Sequence, residues 1–375
     1  MNFGFTEEQD LLRAEVRKWL DARCPIPQVR ALMETDAGYS TELWKELAEL
    51  GWLGLTIPEV HGGAGLHWVD FVVLLEETGR TLFPSPLIST TLAAAAILDS
   101  GSDEQRARWL PGIADGSRIG TLALIEANEV IAPAGIALLG KPDGDAFLLT
   151  GTKSFVADAG AANLFVVAFR TGPGVEDLAL CVVDAGSPGV SSVSQATMDR
   201  TKRTGTLALA NARVPKSAIL AAPGRAWPAI QRSFDRGAIA TTGELIGAAE
   251  GALALTVQYA KDRIQFGNPI GKYQGVKHPL AEMYVDIEST KSLLYYAAWA
   301  LDESPGEVPR SASLAKAYAS DAFARIGIDA VQLHGAVGYT AEYDVQLYLK
   351  RSKWARPTFG DSDFHYERVA SLGGL

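Results

Sequence analysis

Cysteine is scarce in this chain, and basic residues are outnumbered by acidic ones. Only Cys24 and Cys181 occur in 375 residues, in segments of different character. They offer no disulfide framework and fit a reducing compartment, the cytoplasm. Lys and Arg number 34 against 44 Asp and Glu, a formal net charge of −10. That balance repels nucleic-acid phosphates and anionic lipid head groups, so neither nucleic acid nor a membrane is an expected partner. The histidines, His61, His67, His278, His334 and His365, show no paired ligand spacing, and no metal is assigned. Met1-Asn2-Phe3-Gly4-Phe5 lacks the basic region, apolar core and cleavage site of a signal peptide. The best apolar run, Thr91 to Leu98, falls far short of the roughly 20 residues of a membrane span. No Gly-Lys-Ser/Thr phosphate loop is present, and Gly335-Ala336-Val337-Gly338 lacks both the spacing and the preceding strand of a dinucleotide fingerprint. Nucleoside triphosphate and nicotinamide chemistry are thereby set aside.

With 47 % hydrophobic and 21 % charged residues, the composition is that of a globular protein long enough for two or three cooperating units. Thr6 with Gln9 and Ser102 with Gln105 have capping-box spacing and start helices. Leu11, Leu12, Val16, Trp19 and Leu20 follow at helical spacing until Pro25 and Pro27. From about residue 120 the character changes. Ala146–Leu149, Leu164–Phe169 and Leu178–Val183 are short apolar runs between Gly- and Pro-rich turns, the pattern of strands covered on both faces. After Trp227, long Ala-rich segments such as Ser292–Leu301 and Ser313–Gln332 return, read as a close-packed helix bundle, with Pro305 to Pro309 between two of its helices. The expected fold is therefore α+β. It comprises an N-terminal helical domain over 1–118, a β-barrel-like middle domain over 119–225 and a C-terminal four-helix bundle over 226–375.

Arg263-Ile264-Gln265-Phe266-Gly267 is followed by Tyr273-Gln274 and, with 64 residues between it and Gly267, by Gln332-Leu333-His334-Gly335. Ile57-Pro58-Glu59-Val60-His61-Gly62-Gly63 stands in the first domain. These motifs, in this order on a helical, β, helical chain, resemble the acyl-CoA dehydrogenase family over nearly the whole length. An Arg with several fixed donors and backbone N–H groups beside glycines suit the two negative charges of an FAD pyrophosphate. In the enzymes the chain resembles, these segments reach the FAD of a neighbouring subunit. The resemblance thus implies cofactor contacts from Arg263, Gln265, Phe266, Gln274, Gln332, Leu333 and Gly335 across a tetramer interface. The structural alternatives are a cap or ion pair for Arg263, a core position for Phe266 and a helix end for Gly335.

The likeness fails at the flavin and at the base. The family's Thr-Glu-Pro-x-x-Gly-Ser-Asp turn here reads Leu124-Ile125-Glu126-Ala127-Asn128-Glu129-Val130, and its Trp-Ile-Thr segment reads Phe155-Val156-Ala157. The family's chemistry removes an α-proton while a β-hydride leaves for the flavin, which demands a carboxylate at the substrate. The turn that supplies it falls on Thr358-Phe359-Gly360-Asp361, with Phe359 in the glutamate's place. An alternative position in some relatives falls on Gly237, whose smallness suggests open space. Glu244 and Asp361 are the nearby carboxylates, with a buried partner or a cap role as their structural alternatives. Phe234 and Asp235 match a pair near the acyl-CoA chain, although Ala238 replaces the Arg that often follows.

The resemblance implies an FAD-dependent oxidoreductase of fatty acid or steroid catabolism. It would be a subunit of a hetero-oligomeric acyl-CoA dehydrogenase whose homologous partner chain provides the base for a bulky acyl-CoA. Electrons would pass to an electron-transfer flavoprotein. The alternatives are a self-sufficient homotetramer using Glu244 or Asp361 as base, and a non-catalytic binding or scaffold homologue.

Overall fold

The computed structural model describes residues 5–374, so the reading of the extreme N-terminus through Gly4 lies outside the described residues. Among them are eleven helices: α1 (Glu7–Arg23), α2 (Ile26–Met33), α3 (Thr41–Glu49), α4 (Trp68–Arg80), α5 (Leu87–Ser100), α6 (Asp103–Ala114), α7 (Ala226–Asp262), α8 (Gln274–Glu303), α9 (Val308–His334), α10 (Val345–Ala355) and α11 (Ser362–Gly373). Strands β1 (Gly120–Ala123), β2 (Leu139–Asp143), β3 (Ala146–Ala157), β4 (Leu164–Arg170), β5 (Leu178–Asp184), β6 (Val190–Gln195), β7 (Thr204–Pro215) and β8 (Ile219–Ala221) lie between α6 and α7. The short pair β9 (Ile264–Gln265) and β10 (Asn268–Pro269) follows α7. The expected α+β order is the observed one.

Both capping boxes are present, Thr6 with Gln9 on α1 and Ser102 with Gln105 on α6. Each satisfies N–H groups that a helix start leaves free. The chain divides into two compact units, one built from the segment up to Ala31, His67–Phe83 and everything from Gly237, the other from Leu32–Leu66 and Pro84–Arg236.

The second unit holds the mixed eight-stranded sheet, in the order β6-β7-β3-β2-β4-β5-β8, with β1 paired parallel to β4. Every residue of β4 and β5 except the last is buried, which explains their unbroken apolar runs. Inside this unit Lys153 is fully buried and meets Glu126 at 2.8 Å. Burial lowers the Lys153 pKa, and the charge of Glu126 opposes that. The same Glu126 oxygen accepts from the Ala137 and Leu138 N–H groups.

The first unit is helical. Arg13 of α1 reaches the buried Glu76 of α4 at 2.6 Å, and Arg17 and Arg80 flank Glu77. Burial raises the Glu76 carboxyl to about 6, against the pull of Arg13. On α7, glycines at 243, 247 and 251 face α4, most closely at Gly247, where backbone meets backbone. A Cβ at Gly247 would overlap the Glu76 carbonyl oxygen, and one at Gly251 would stand 2.6 Å from that of Arg80. Gly79 presses in return on the Glu244 carbonyl. By length and composition α7 could cross a membrane, which the short apolar runs did not suggest. Yet 78 % of its most apolar stretch is buried within the protein, as in a core helix.

Gly247→Ala is expected to destabilise this helix pair by about 1–3 kcal/mol, the cost of overpacking. Gly275→Ala, where an added Cβ meets nothing within 4 Å, should be neutral or stabilising by up to about 1 kcal/mol. Urea unfolding midpoints of the two variants measure the contrast.

Candidate active site

The C-terminal end of α7 leads into a short projecting arm. Ile264 and Gln265 pair antiparallel with Pro269 and Asn268, and Phe266 and Gly267 form the turn with φ of 51° and 75°. Two successive left-handed residues make a type I′ hairpin, which matches the twist of the strands but is costly for phenylalanine at its first position. The Phe266 ring is nonetheless 90 % exposed, touching only the edge of Tyr273 at 6.4 Å among the ring contacts. The Tyr273 hydroxyl donates to the Gln265 carbonyl at 3.3 Å, bringing the start of α8, and hence exposed Gln274, to the base of the arm. Arg263 is exposed and has no acidic partner among the described residues. Its guanidinium is free to meet an anion such as a pyrophosphate.

The second motif lies at the end of α9. Gln332 and Gly335 are exposed, Leu333 is half-buried, and Gly335 ends the helix at φ 64°. The two motifs meet through an aromatic stack: the buried His334 ring lies 4.4 Å from that of Tyr259 on α7, and Tyr343 closes on both. The His334 Nδ1–H donates to the Ala330 carbonyl at 2.7 Å. Composition alone gave His334 no role; its place in the motif was the only signal.

The positions expected to carry a base converge. A Cβ on Gly237 would lie 2.5 Å from Cγ and Cε1 of Phe359, so the ring of the second position lies against the backbone of the first. The open space that Gly237 suggested is filled by that ring. Phe359 itself has φ 58° and Gly360 φ 98°, and two buried groups hold this turn. The Lys316 Nζ donates to the carbonyls of Ala355, Arg356 and Gly360 at 3.1, 2.9 and 2.9 Å and to the Ser320 hydroxyl at 2.9 Å. The His365 Nε2–H donates to the Phe359 carbonyl at 3.0 Å, while its Nδ1 accepts from Ser313 at 3.1 Å. Sequence reading missed both residues, although a lone Lys in the Ala-Ser run of α9 was a usable sign.

The nearby carboxylates are occupied. Glu244, one of the proposed bases, is buried and ion-paired at 3.1 Å with Arg351, itself fully buried. Seven residues along α7 also set it about 10 Å from Gly237. Asp361 caps α11, accepting from the Phe364 N–H at 2.9 Å. Phe234 and Asp235, the proposed acyl-CoA contacts, are buried on α7. Glu126, the survivor of the flavin turn, is engaged by Lys153 and two backbone N–H groups. Phe155 stands half exposed at a bulge of β3 with φ 55°, and Ala157 offers no hydroxyl. Arg263 of the arm, with no acidic partner among the described residues, thus offers donors that a pyrophosphate such as that of FAD would accept, whereas Phe155 and Ala157 offer no hydroxyl.

Gly237→Ala should cost about 1–3 kcal/mol by forcing the Phe359 ring aside. In a Phe359→Ala background most of that cost should vanish, a coupling that a double-mutant cycle of unfolding free energies reads directly. Stability should also rise with pH across the acid range. Burial and the Lys316 charge lower His365 from 6.5 to about 3, so between those values the unfolded chain binds the extra proton. Unfolding between pH 4 and 6.5 should show a slope of up to about 1.4 kcal/mol per pH unit from this group, flattened in His365→Gln.

Comparison with known proteins identifies the family. Residues 6–117 match the acyl-CoA dehydrogenase N-terminal domain and residues 224–372 the acyl-CoA dehydrogenase C-terminal domain. Acyl-CoA dehydrogenase IpdE2 of Mycobacterium tuberculosis is 34 % identical, covering 92 % of this chain and 91 % of its own. The ChsE4-ChsE5 complex of Mycobacterium tuberculosis contains a chain that superposes with a TM-score of 0.91 at 28 % identity, over 100 % of this chain and 99 % of that one. A steroid ACAD variant gives 0.88 at 32 % identity, covering 98 % of both chains. The chain belongs to the acyl-CoA dehydrogenase family, FAD-dependent oxidoreductases that act on acyl-CoA.

Proposed function

We propose that this chain is one subunit of a hetero-oligomeric acyl-CoA dehydrogenase that introduces an α,β double bond into a bulky acyl-CoA thioester. A homologous partner chain carries the intact flavin turn and the base. The observation that carries this reading is the contact between Phe359 and Gly237. Proton abstraction needs a carboxylate beside the substrate α-carbon. Both positions that would supply one meet here, and neither a phenyl ring nor a hydrogen can accept a proton. Glu244 and Asp361 are engaged in an ion pair and a helix cap, which weighs against a self-sufficient enzyme.

What the chain retains is a binding surface. Arg263 has no acidic partner among the described residues and Phe266 projects almost fully exposed. An unneutralised guanidinium and a bare ring suit the cofactor of a second subunit better than solvent. In this reading FAD, when bound, accepts the substrate hydride. Arg263 offsets pyrophosphate charge, while Gln265, Phe266, Gln274, Gln332, Leu333 and Gly335 shape the rest of the contact. Phe234 and Asp235 border whatever acyl-CoA groove remains. Similarity to a steroid ACAD supports a bulky acyl group, and that to the ChsE4-ChsE5 complex supports unlike subunits. The electron acceptor is an electron-transfer flavoprotein and the compartment the cytoplasm.

The test is to purify the chain alone and together with a homologous chain encoded beside it, recording flavin absorbance per chain and its bleaching by acyl-CoA. The expected result is a colourless chain alone and a yellow, bleachable complex from which Arg263→Gln removes most of the flavin. A chain that is yellow alone and bleached by substrate overturns the proposal. So does one that stays colourless in every pairing.

A further inference from the structure

A cavity of about 640 Å3 lies in the sheet-containing unit, lined by none of the candidate active-site residues. Its walls come from the C-terminal end of α5, from β8 and the loop after it, and from the first turns of α7. The lining is part apolar, with Phe147, Ile219, Leu220 and Pro223 forming one wall, and part polar. Three exposed cations, Lys216, Arg225 and Arg232, stand on its edge.

The one acid in the lining, Asp99, does not neutralise them. Arg236 pairs with both of its oxygens, and Arg232 adds only a 3.4 Å contact. Lys216 and Arg225 have no acidic partner among the described residues. The Ser100 hydroxyl, also in the lining, is buried without a hydrogen-bond partner. Three cations thus line a cavity whose single carboxylate is already paired with a fourth, Arg236, in a chain whose net charge is −10.

Cations that share a hollow repel one another unless an anion occupies it. A single carboxylate would leave most of that charge uncompensated, whereas a phosphate or diphosphate spans several donors. An apolar wall with an aromatic ring suits a flat organic body, and the volume lies within the range of small-molecule sites.

We propose that this cavity is a second ligand site, selective for a phosphorylated molecule with a flat apolar body, the chemistry of an adenine nucleotide. Ala229 and Arg232 line the cavity from one side of α7, while Phe234 and Gly237 lie on other sides of the helix. The site is therefore independent of the proposed acyl-CoA groove and of which subunit supplies the base.

Calorimetric titration of the full chain in its flavin-loaded assembly tests this, with ADP, adenosine and inorganic phosphate as separate probes. ADP should bind with a Kd below about 1 mM, and adenosine and phosphate at least about tenfold more weakly. Lys216→Gln with Arg225→Gln should weaken ADP about tenfold or more and leave flavin content and unfolding midpoint unchanged, whereas Lys141→Gln elsewhere on the unit should do nothing. No detectable ADP binding overturns the proposal, as does ADP binding indifferent to the double variant. Equal affinity for adenosine and ADP removes the phosphate selectivity and overturns it as well.

Discussion

One ammonium group, buried without solvent, organises the end of the helical unit. Lys316 is fully buried, and its acceptors are the last carbonyls of α10, the carbonyl of Gly360 and a hydroxyl one turn along its own helix. Carbonyls at a helix C-terminus lack intrahelical donors, and a cation there is favoured by the helix dipole. Burying an amine costs several kcal/mol unless its hydrogens find acceptors. Burial pushes Lys316 down to about 7, so the oxygens around it work against a strong pull toward neutrality. The arrangement is satisfied only if α9, the end of α10 and the Phe359 turn hold one geometry, and the ring on Gly237 follows from it.

Phe155, Phe266 and Phe359 all adopt left-handed backbone, which costs an aromatic residue of order 1 kcal/mol or more. Each lies in a segment for which the resemblance implies a contact with flavin, neighbour or substrate. Such strain persists only where surrounding contacts over-determine it. At Phe359 those contacts are Lys316 and His365; at Phe155 they are the bulge in the long β3–β7 pairing. At Phe266 the visible support is the hairpin itself and one edge contact with Tyr273, leaving the ring to another surface.

Local signals were legible in the sequence. Thr6 and Ser102 announced their helices because a cap is completed within four residues, and β4 and β5 were readable because strands buried on both faces need no polar positions. The motifs marked the segments that form the arm and the Phe359 turn. What stayed hidden depends on distant partners. Glu126 looked like a remnant of a flavin turn, but its partner is Lys153 from a neighbouring strand. Gly237 looked like space, yet it is the seat of a ring 122 positions away. The glycines at 243, 247 and 251 read as ordinary small residues until α4 was placed against them.

The hydrogen bonds that hold the Phe359 turn keep its backbone in place whatever side chain stands at 359. Lys316 and His365 both donate to backbone carbonyls, at Gly360 and Phe359, and neither bonds to the side chain at 359. The turn therefore constrains the residue's backbone and position while leaving the chemistry of its side chain open. A carboxylate there would sit beside Gly237 in a pocket already supplied with one buried cation, and its replacement by a ring exchanges charge for apolar contact without disturbing the donors beneath. Removing a buried carboxylate also removes its desolvation cost, so the substitution need not weaken the fold. Stability and catalysis are in this way carried by different atoms of the same turn. Under the proposed function, that separation is the physical condition for a subunit to keep the scaffold and the arm without a proton-abstracting group at this turn.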